Sequence, residues 1–450
     1  MKTVPRDQSY ASHGPDFRSG KDSPLNFLEM GLARMEKHEA KVRAFTVYDC
    51  ETARIEAKAS ETRWRSGQEL SPIDGMPIGI KDIIETYDMP TGQGSPLWDG
   101  HESKRDSATV QALREAGAII LGKTVTTEFA ASTPLGKTVN PHDPRRTPGG
   151  SSSGSTAAVG AGFIPVALGS QVVGSTLRPS SYCGCIGFKP SVGAINRGGS
   201  YDYLSHSCVG VIGASLDDLW LTAKAIVNRV GGDPGYVGLI GPETLPSAIA
   251  AKRVLVLETD GWSKRTVGAA AAFDQFLKGV AEVEFVGRDH EVMLEDFEQM
   301  ITGIRTLSST ILSFEGRWPL GGYIKTDETK VSATARQRFC DGKDLKQKDY
   351  VAALERRNAI RETYAELTKE FDAVITLAAT GAAPLGLEST GDADFNIPAS
   401  VLGVPAISLP VLSDGGLPLG LQLIGKANRD AELIGLAHWF LSKGLRETSR

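Results

Sequence analysis

A long uncharged run in the first half of the chain constrains the fold more than any other feature. No Asp, Glu, Lys or Arg lies between Arg146 and Arg178, a run of 31 positions. A membrane-spanning helix needs about 20 predominantly apolar residues, but this run is interrupted by Pro165 and by many glycines and serines. Its hydroxyls include a cluster at residues 151–153 and Ser175, and buried hydroxyls need hydrogen-bond partners. The run therefore predicts buried turns rich in hydroxyl groups. We expect these hydroxyls to form hydrogen bonds with a charged side chain from elsewhere in the chain.

Composition narrows the class of protein. The 450 residues are 41% hydrophobic and 23% charged, with 49 basic and 54 acidic side chains, which is typical of a soluble globular protein. The acidic balance argues against a nucleic-acid partner, since such proteins usually carry a clustered basic excess. The five cysteines suggest reduced thiols and a cytoplasmic location rather than a disulfide framework; packing is the expected role of Cys183, Cys185 and Cys208.

The amino terminus and the element pattern predict the domain organisation. Residues 1–23 lack the apolar core of a signal peptide and are expected to form a flexible arm, and no stretch predicts a membrane partner. Strand and helix patterns then alternate: a capped amphipathic helix over 107–117 precedes a strand over 118–121, and a similar unit spans 254–286. Such alternation is typical of an α/β chain. We expect one large domain over residues 24–450.

Within that domain, three regions have different expected roles. The core motifs lie in residues 72–213. A more polar helical segment over about 291–368 is expected to shape the substrate site, and its first part, 291–341, could form a mobile lid. Closing strands and a helix are expected in 373–443.

Several catalytic patterns match only in part. Residues 117–124 have the letters of a P-loop, but the predicted strand lies between the glycines rather than before them. Residues 150–154 have the letters of a nucleophile elbow, which requires a strand directly upstream, whereas this segment follows a loop. The seven histidines are scattered, with no metal-binding spacing. We therefore expect neither a metal nor a cofactor.

A lysine remains as the candidate base for a serine nucleophile. A lysine that acts near neutral pH must be desolvated, because its ordinary pKa is about 10.4. Lys81 stands in the apolar sequence Gly-Ile-Lys-Asp-Ile-Ile. The alternatives are an ion pair with Asp82 or a position at a strand edge, and the residues alone leave all three open.

A family resemblance bears on these alternatives. GIKD at 79–82, PGGSSSGS at 148–155, and the later series of GS, GS, RP, CG and GFKP ending at Pro190 resemble the amidase signature family. The resemblance covers residues 72–213 strongly and 396–425 moderately. It implies an α/β fold with a central mixed sheet flanked by helices, and a Ser–cis-Ser–Lys catalytic triad.

Carried over by motif, the resemblance implies a role for individual residues. Lys81 matches the base, Ser151 the serine after a cis peptide bond, and Ser175 the nucleophile. The backbone N–H groups of Val172, Val173, Gly174 and Ser175 would form the oxyanion hole, with Ser152, Gln171 and Arg178 in support. Gln171 replaces an acid that is common in the family, Arg178 is shifted by one place, and Val173 replaces a glycine. The valine restricts the backbone and is the departure that most affects the expected oxyanion hole.

The resemblance implies a hydrolase without cofactor that acts on a small amide, carbamate (urethane) or ester through an acyl-enzyme. We expect the substrate to be uncharged and the protein to be a monomer or homodimer. Two alternatives remain open: the amidase subunit of a tRNA-dependent amidotransferase, and a non-catalytic member of the family.

Overall fold

One mixed sheet of eleven strands runs through the part of the protein that the structure describes. The computed structural model describes residues 9–131 and 136–447. The strand order is β1-β3-β2-β4-β6-β5-β10-β11-β9-β7-β8. The strands are β1 (Phe45–Tyr48), β2 (Pro77–Lys81), β3 (Ile119–Thr124), β4 (Val166–Gln171), β5 (Ile186–Lys189), β6 (Cys208–Gly213), β7 (Arg253–Val256), β8 (Glu284–Val286), β9 (Ala373–Leu377), β10 (Ala406–Asp414) and β11 (Leu417–Ile424).

Helices flank this sheet, as the sequence predicts. They are α1 (Gly14–Ser19), α2 (Pro24–Val42), α3 (Cys50–Ser66), α4 (Ala108–Glu115), α5 (Ser153–Gly160), α6 (Leu177–Cys183), α7 (Leu216–Val230), α8 (Val267–Gly279), α9 (Val292–Ile301), α10 (Ile304–Asp327), α11 (Ala333–Lys343), α12 (Gln347–Leu367), α13 (Ile397–Leu402) and α14 (Asp430–Glu447). Several begin at the expected caps; the hydroxyl of Ser107, for example, accepts from the N–H of Val110 at 3.2 Å, an interaction worth about 1 kcal/mol.

Three neighbouring strands position the site. β3, β2 and β4 run parallel, with Lys81 opposite Thr124 and Ile80 opposite Leu168. Every residue of these strands is buried, which explains their nearly continuous apolar sequences. The carboxyl ends of parallel strands meet at one edge of a sheet, where ligands usually bind in α/β proteins. Lys81 ends β2 there, and Gln171 ends β4.

The expectation of a flexible arm over residues 1–23 does not hold for residues 9–23. Residues 1–8 lie outside the described part, but Tyr10 and Phe17 are each only 1% exposed. The N–H of Tyr10 donates to the carboxylate of Asp218 at 2.8 Å, and the ring of Phe17 packs against Trp64. Burial of two aromatic rings, about 150–250 Å² each, and the buried carboxylate hold this segment on the domain.

The predicted helical segment over 291–368 contains α9 to α12, and β9, β10, β11 and α14 follow it. In the part of the chain that is described, no helix has the length and apolar character needed to cross a bilayer. Cys183, Cys185 and Cys208 are buried free thiols. The first two belong to an apolar cluster, in keeping with a packing role.

Candidate active site

The side chain of Lys81 is fully buried at the end of β2. Its Nζ donates to the hydroxyl of Ser151 at 2.8 Å and to the hydroxyl of Ser170 at 2.7 Å. Burial lowers the pKa of Lys81 to about 7, and the negative charge of Asp202 opposes this shift. Near neutral pH, a substantial fraction of Lys81 is therefore unprotonated and able to accept a proton.

The carboxylate next to Lys81 in sequence has another partner. Asp82 lies 3.1 Å from Nζ of Lys123 on the neighbouring strand β3. The same Nζ donates to Thr91 Oγ1 at 2.7 Å and to the carbonyl of Pro90 at 3.1 Å. The sequence alternative in which Lys81 pairs with Asp82 is therefore wrong, and Lys81 keeps only hydroxyl partners among the described residues.

Ser151 lies in a turn whose backbone is unusual. The peptide bond between Gly150 and Ser151 is cis, and Gly149 has a φ of +81°. A side chain at Gly149 would place its Cβ 2.8 Å from Cα of Pro179, so this position requires glycine. The turn leads into α5, and it directs the Ser151 hydroxyl toward Lys81.

Ser152 links this turn to β4. Its hydroxyl donates to the carbonyl of Ser170 and accepts from the N–H of Ser170, each at 3.3 Å. Its own N–H donates to the carbonyl of Ser175, also at 3.3 Å. These three bonds hold the Ser151 turn against the segment that carries Ser175.

Ser175 is half-buried in the turn between β4 and α6. It lines the same cavity as Ser151. Within residues 9–131 and 136–447, its hydroxyl makes no hydrogen bond, so the two serines share a cavity but are not hydrogen-bonded to each other. Such contacts often tighten only when substrate binds.

The side chain of Gln171 forms hydrogen bonds with the turn that carries Ser175. Its Oε1 accepts from the backbone N–H groups of Thr176 and Leu177, both at 3.0 Å. Its Nε2 donates to Ser400 Oγ at 3.1 Å, and that hydroxyl donates to the carbonyl of Val173 at 2.7 Å. An amide performs both tasks, because it accepts from the turn and donates to Ser400.

The residues from Val172 to Ser175 form the turn whose backbone N–H groups are predicted to make the oxyanion hole. All four residues line the cavity, and none of the four N–H groups donates to another described residue. Val173 does not have a positive φ, so its backbone does not require glycine. Gly174 does require it, because a Cβ there would lie 2.7 Å from Oδ1 of Asn396.

Arg178 connects the two turns. Its Nη2 donates to the carbonyl of Gly150 at 2.7 Å, and its Nε donates to the carbonyl of Thr390 at 2.7 Å. The guanidinium is buried, which lowers its pKa, and it is a directional donor of fixed geometry. Arg178 therefore braces the cis peptide from the first turn of α6.

Sequence reasoning missed three residues of this network: Ser170, Thr390 and Ser400. Ser170 lies inside the uncharged run, one residue before Gln171, but nothing in the sequence shows that β4 pairs with β2. Ser400 and Thr390 lie more than 200 residues beyond the turns they contact. Only the fold brings them to the site.

A cavity of about 480 Å³ opens over both serines. Its aromatic lining consists of Phe129, Tyr201, Tyr203 and Tyr323, and α10 and α11 contribute much of the rest. The segment predicted to shape the substrate site thus forms part of the wall. No group of three or more His, Cys, Asp or Glu side chains among the described residues is placed to hold a metal ion.

Comparisons with known proteins agree with this geometry. Residues 26–434 match a family model described as Amidase. One subunit of the glutamyl-tRNA(Gln) amidotransferase of Nostoc sp. is 28% identical, over 94% of this chain and 96% of its own length. The fatty acid amide hydrolase of Arabidopsis thaliana is 29% identical, over 96% of this chain and 75% of its own length.

Solved structures share the fold. A chain from a vestigial protein complex linked to the origins of an s-triazine catabolic enzyme is 28% identical, with a TM-score of 0.83 over 100% of this chain and 99% of that one. The peptide amidase of Stenotrophomonas maltophilia, 22% identical, has a TM-score of 0.80 over 98% of each chain and bears on the fold alone. Since the family model covers most of the chain, this protein belongs to the amidase family, the amidase signature enzymes that hydrolyse amide carbon–nitrogen bonds.

Proposed function

We propose that this protein is a stand-alone serine hydrolase that cleaves the C–N bond of a small amide or carbamate through an acyl-enzyme on Ser175. The observation that carries the proposal is a fully buried lysine whose hydrogen-bond partners, within the described part of the chain, are hydroxyls. Its Nζ lies 2.8 Å from Ser151 Oγ, and Ser151 shares a cavity with Ser175. A neutral lysine is a competent base for a serine nucleophile.

In the first half of the reaction, the neutral amine of Lys81 takes the proton of the Ser151 hydroxyl, and Ser151 takes the proton of Ser175. The Ser175 oxygen forms a bond to the substrate carbonyl carbon, and the carbonyl oxygen becomes an oxyanion. Ser151 then returns a proton to the leaving nitrogen, and the C–N bond breaks. The products are the free amine and an ester on Ser175.

In the second half, water replaces the amine. The same relay takes a proton from the water as it attacks the ester carbonyl, and Ser175 leaves with a proton from Ser151. The unpaired N–H groups from Val172 to Ser175 would hold the oxyanion in both halves, and one such donor lowers the barrier by about 2.7–4 kcal/mol. Esters would enter by the same route.

A second candidate is the amidase subunit of a tRNA-dependent amidotransferase. The observation that favours it is the match to the glutamyl-tRNA(Gln) amidotransferase chain of Nostoc sp., which extends over nearly the full length of both proteins. Such a role would require partner subunits. Glutaminase activity, together with partner chains that purify with this one, would support it over the stand-alone hydrolase.

A fluorophosphonate probe and a substrate panel test the proposal. The probe should modify the peptide that contains Ser175, and Ser175→Ala should lower amide hydrolysis by about 10⁴-fold or more. The panel should contain anilides, aliphatic amides, carbamates and esters. Folded protein that hydrolyses amides without labelling, or a Ser175→Ala variant with undiminished activity, would refute the mechanism.

A further inference from the structure

A buried carboxylate in the cavity has an oxygen without a partner. Asp202 is 5% exposed and lines the same cavity as Ser175. One of its oxygens accepts from the hydroxyl of Ser207. The other, Oδ2, is buried and has no hydrogen-bond donor among the described residues. A buried carboxylate oxygen without a donor is costly, so a donor on a bound ligand would be strongly favoured.

The backbone places Asp202 near the base. It lies in the loop between β5 and β6, and the N–H of Tyr201 donates to the carbonyl of Ile83 at 2.9 Å, two residues after Lys81. The charge of Asp202 also acts directly on Lys81. The carboxylate therefore lies within electrostatic reach of the base.

The arginines around Asp202 form ion pairs or hydrogen bonds with groups other than its carboxylate. Arg197 forms an ion pair with Asp233 at 2.6 Å and donates to the backbone carbonyls of Asp202 and Leu204, not to the Asp202 carboxylate. In the cavity wall, Arg178 donates to Gly150 and Thr390. Arg305 is paired with Asp392 and Asp394.

The remaining charged groups near Asp202 do not neutralise it either. Arg338 and Asp341 both line the cavity from α11, and burial lowers the pKa of Arg338 while the charge of Asp341 opposes that shift. The buried thiol of Cys208 has its pKa raised by burial, with Lys189 acting against that shift. Among the described side chains, Asp202 has no cationic partner within ion-pair distance.

Aromatic rings complete the surroundings of the carboxylate. Tyr201, Tyr203 and Tyr323 line the cavity beside it, and Tyr323 stacks on Phe129 with ring centroids 4.5 Å apart. The hydroxyl of Tyr201 donates to Glu85 at 3.0 Å, so this hydroxyl is already occupied. Aromatic faces together with a carboxylate are the usual surroundings of a bound ammonium group.

We propose, on the basis of the function proposed above, that Asp202 is a specificity residue that binds a primary or secondary ammonium group of the amide substrate. The free oxygen requires an N–H donor, which a quaternary ammonium lacks. This inference replaces the expectation of an uncharged substrate. Binding also has a consequence for the base: a cation beside Asp202 screens the charge that raises the pKa of Lys81, so the correct substrate favours the unprotonated amine.

Matched anilides test the inference. Each set has one acyl chain length and ends in an ammonium, a trimethylammonium or a neutral methyl group; the length is varied across sets. The wild type should show a kcat/KM for the ammonium anilide at least tenfold above that of the other two at its best length. Asp202→Asn should lower the ammonium value by roughly 30- to 1,000-fold, and the neutral value far less. Asp341→Asn, which changes the exposed carboxylate of the same cavity, should keep the preference.

Two readouts separate binding from folding and from catalysis. Asp202→Asn should move the acid limb of neutral-anilide turnover to lower pH, because it removes the charge that raises the pKa of Lys81. In the Ser175→Ala background, calorimetry should show tighter binding of the ammonium compound, lost when Asp202→Asn is added. This measurement does not depend on turnover, so it tests the inference even if Ser175 is not the nucleophile.

Four outcomes would overturn the proposal. The three compounds could bind equally, or the neutral one could be preferred. The preference for the ammonium compound could survive Asp202→Asn, or Asp341→Asn could abolish it.

Discussion

Two buried lysines on adjacent parallel strands have different partners. Lys81 ends β2, and its hydrogen-bond partners among the described residues are the hydroxyls of Ser151 and Ser170. Lys123 lies on β3, equally buried, with the carboxylate of Asp82 3.1 Å away. Burial lowers the pKa of both side chains, but at Lys123 the charge and hydrogen bond of Asp82 oppose the shift directly.

The difference shows how one sheet can contain a base and a structural ion pair side by side. A carboxylate beside a buried lysine stabilises its charged form, whereas a buried lysine without such a partner favours the neutral amine because burial penalises the charge. Hydroxyls can also pass a proton on, which a carboxylate already bound to an ammonium does not readily do. The partner of each lysine, rather than its burial, assigns its role.

The largest effect is expected on activity when the two lysines are changed in the same way. Lys81→Met should lower kcat/KM by about 10³-fold or more, because general base catalysis is lost. Lys123→Met should leave activity per folded molecule within about tenfold. Amide hydrolysis, normalised to folded protein by circular dichroism, measures both. Comparable losses in the two variants would show that the lysines do not differ in role.

Stability should respond in the opposite order. Lys123→Met leaves Asp82 buried without its ion-pair partner, and breaking a buried pair costs about 3–5 kcal/mol in the free energy of unfolding. Lys81→Met removes no ion pair and should not destabilise the fold to that extent. Urea denaturation at pH 7 gives both values. The comparison fails if Lys81→Met proves the more destabilising.

The double variant Lys123→Met/Asp82→Asn is the control for this stability test. It removes both charges of the pair and should recover part of the loss seen with Lys123→Met alone. If it recovers nothing, the loss comes from packing around the lysine rather than from the unpaired carboxylate.

The pH dependence follows from the lowered pKa of Lys81. The amine must be neutral to act, so kcat/KM should rise about tenfold per pH unit below pH 7 and level off above it. The unfolded chain binds this proton up to about pH 10.4, so the contribution of Lys81 to the free energy of unfolding should rise with pH between about 7 and 10.4. Lys81→Met should remove that rise, and Lys123→Met should leave the acid limb in place. If kcat/KM continued to rise up to about pH 10, the result would contradict a buried neutral base.

Features of the fold and site that depend on neighbouring residues could be predicted from the sequence, whereas contacts between residues far apart in the chain could not. The apolar neighbours of Lys81 indicated desolvation, and the resemblance to the amidase signature motifs pointed to Ser151 and Ser175. The partner of Asp82 was not predictable, since it depends on the register that places Lys81 opposite Thr124. Lys123 appeared in the sequence only as part of an imperfect P-loop pattern. The alternation of strands and helices sufficed for the α/β class, but not for the strand order that brings β4 beside β2.

Residues 9–23 of the amino-terminal arm were mispredicted for a related reason. The lack of an apolar signal-peptide core suggested a loose segment, yet Tyr10 and Phe17 are buried against partners distant in sequence, among them Asp218. Asp202 likewise carries no motif, and its place beside the base is set by the bond from Tyr201 to Ile83. Local patterns predicted elements and the residues within motifs, whereas long-range pairing determined what each charged group contacts.

The smallest effect is expected at Val173, where the chain departs from the glycine common in the family. Its backbone avoids positive φ, and its carbonyl is held by Ser400, so the turn does not need glycine for its shape. Val173→Gly should therefore change kcat/KM by less than about tenfold. Any loss should come from greater backbone freedom in the turn, at roughly 0.5–1 kcal/mol.

Rates for one small and one bulky anilide distinguish backbone freedom from steric control. If the valine narrows the cavity, Val173→Gly should raise kcat/KM for the bulky substrate only. A loss of 10³-fold would place Val173 on a level with Lys81 and show that the oxyanion turn, rather than the choice of lysine partner, dominates the site.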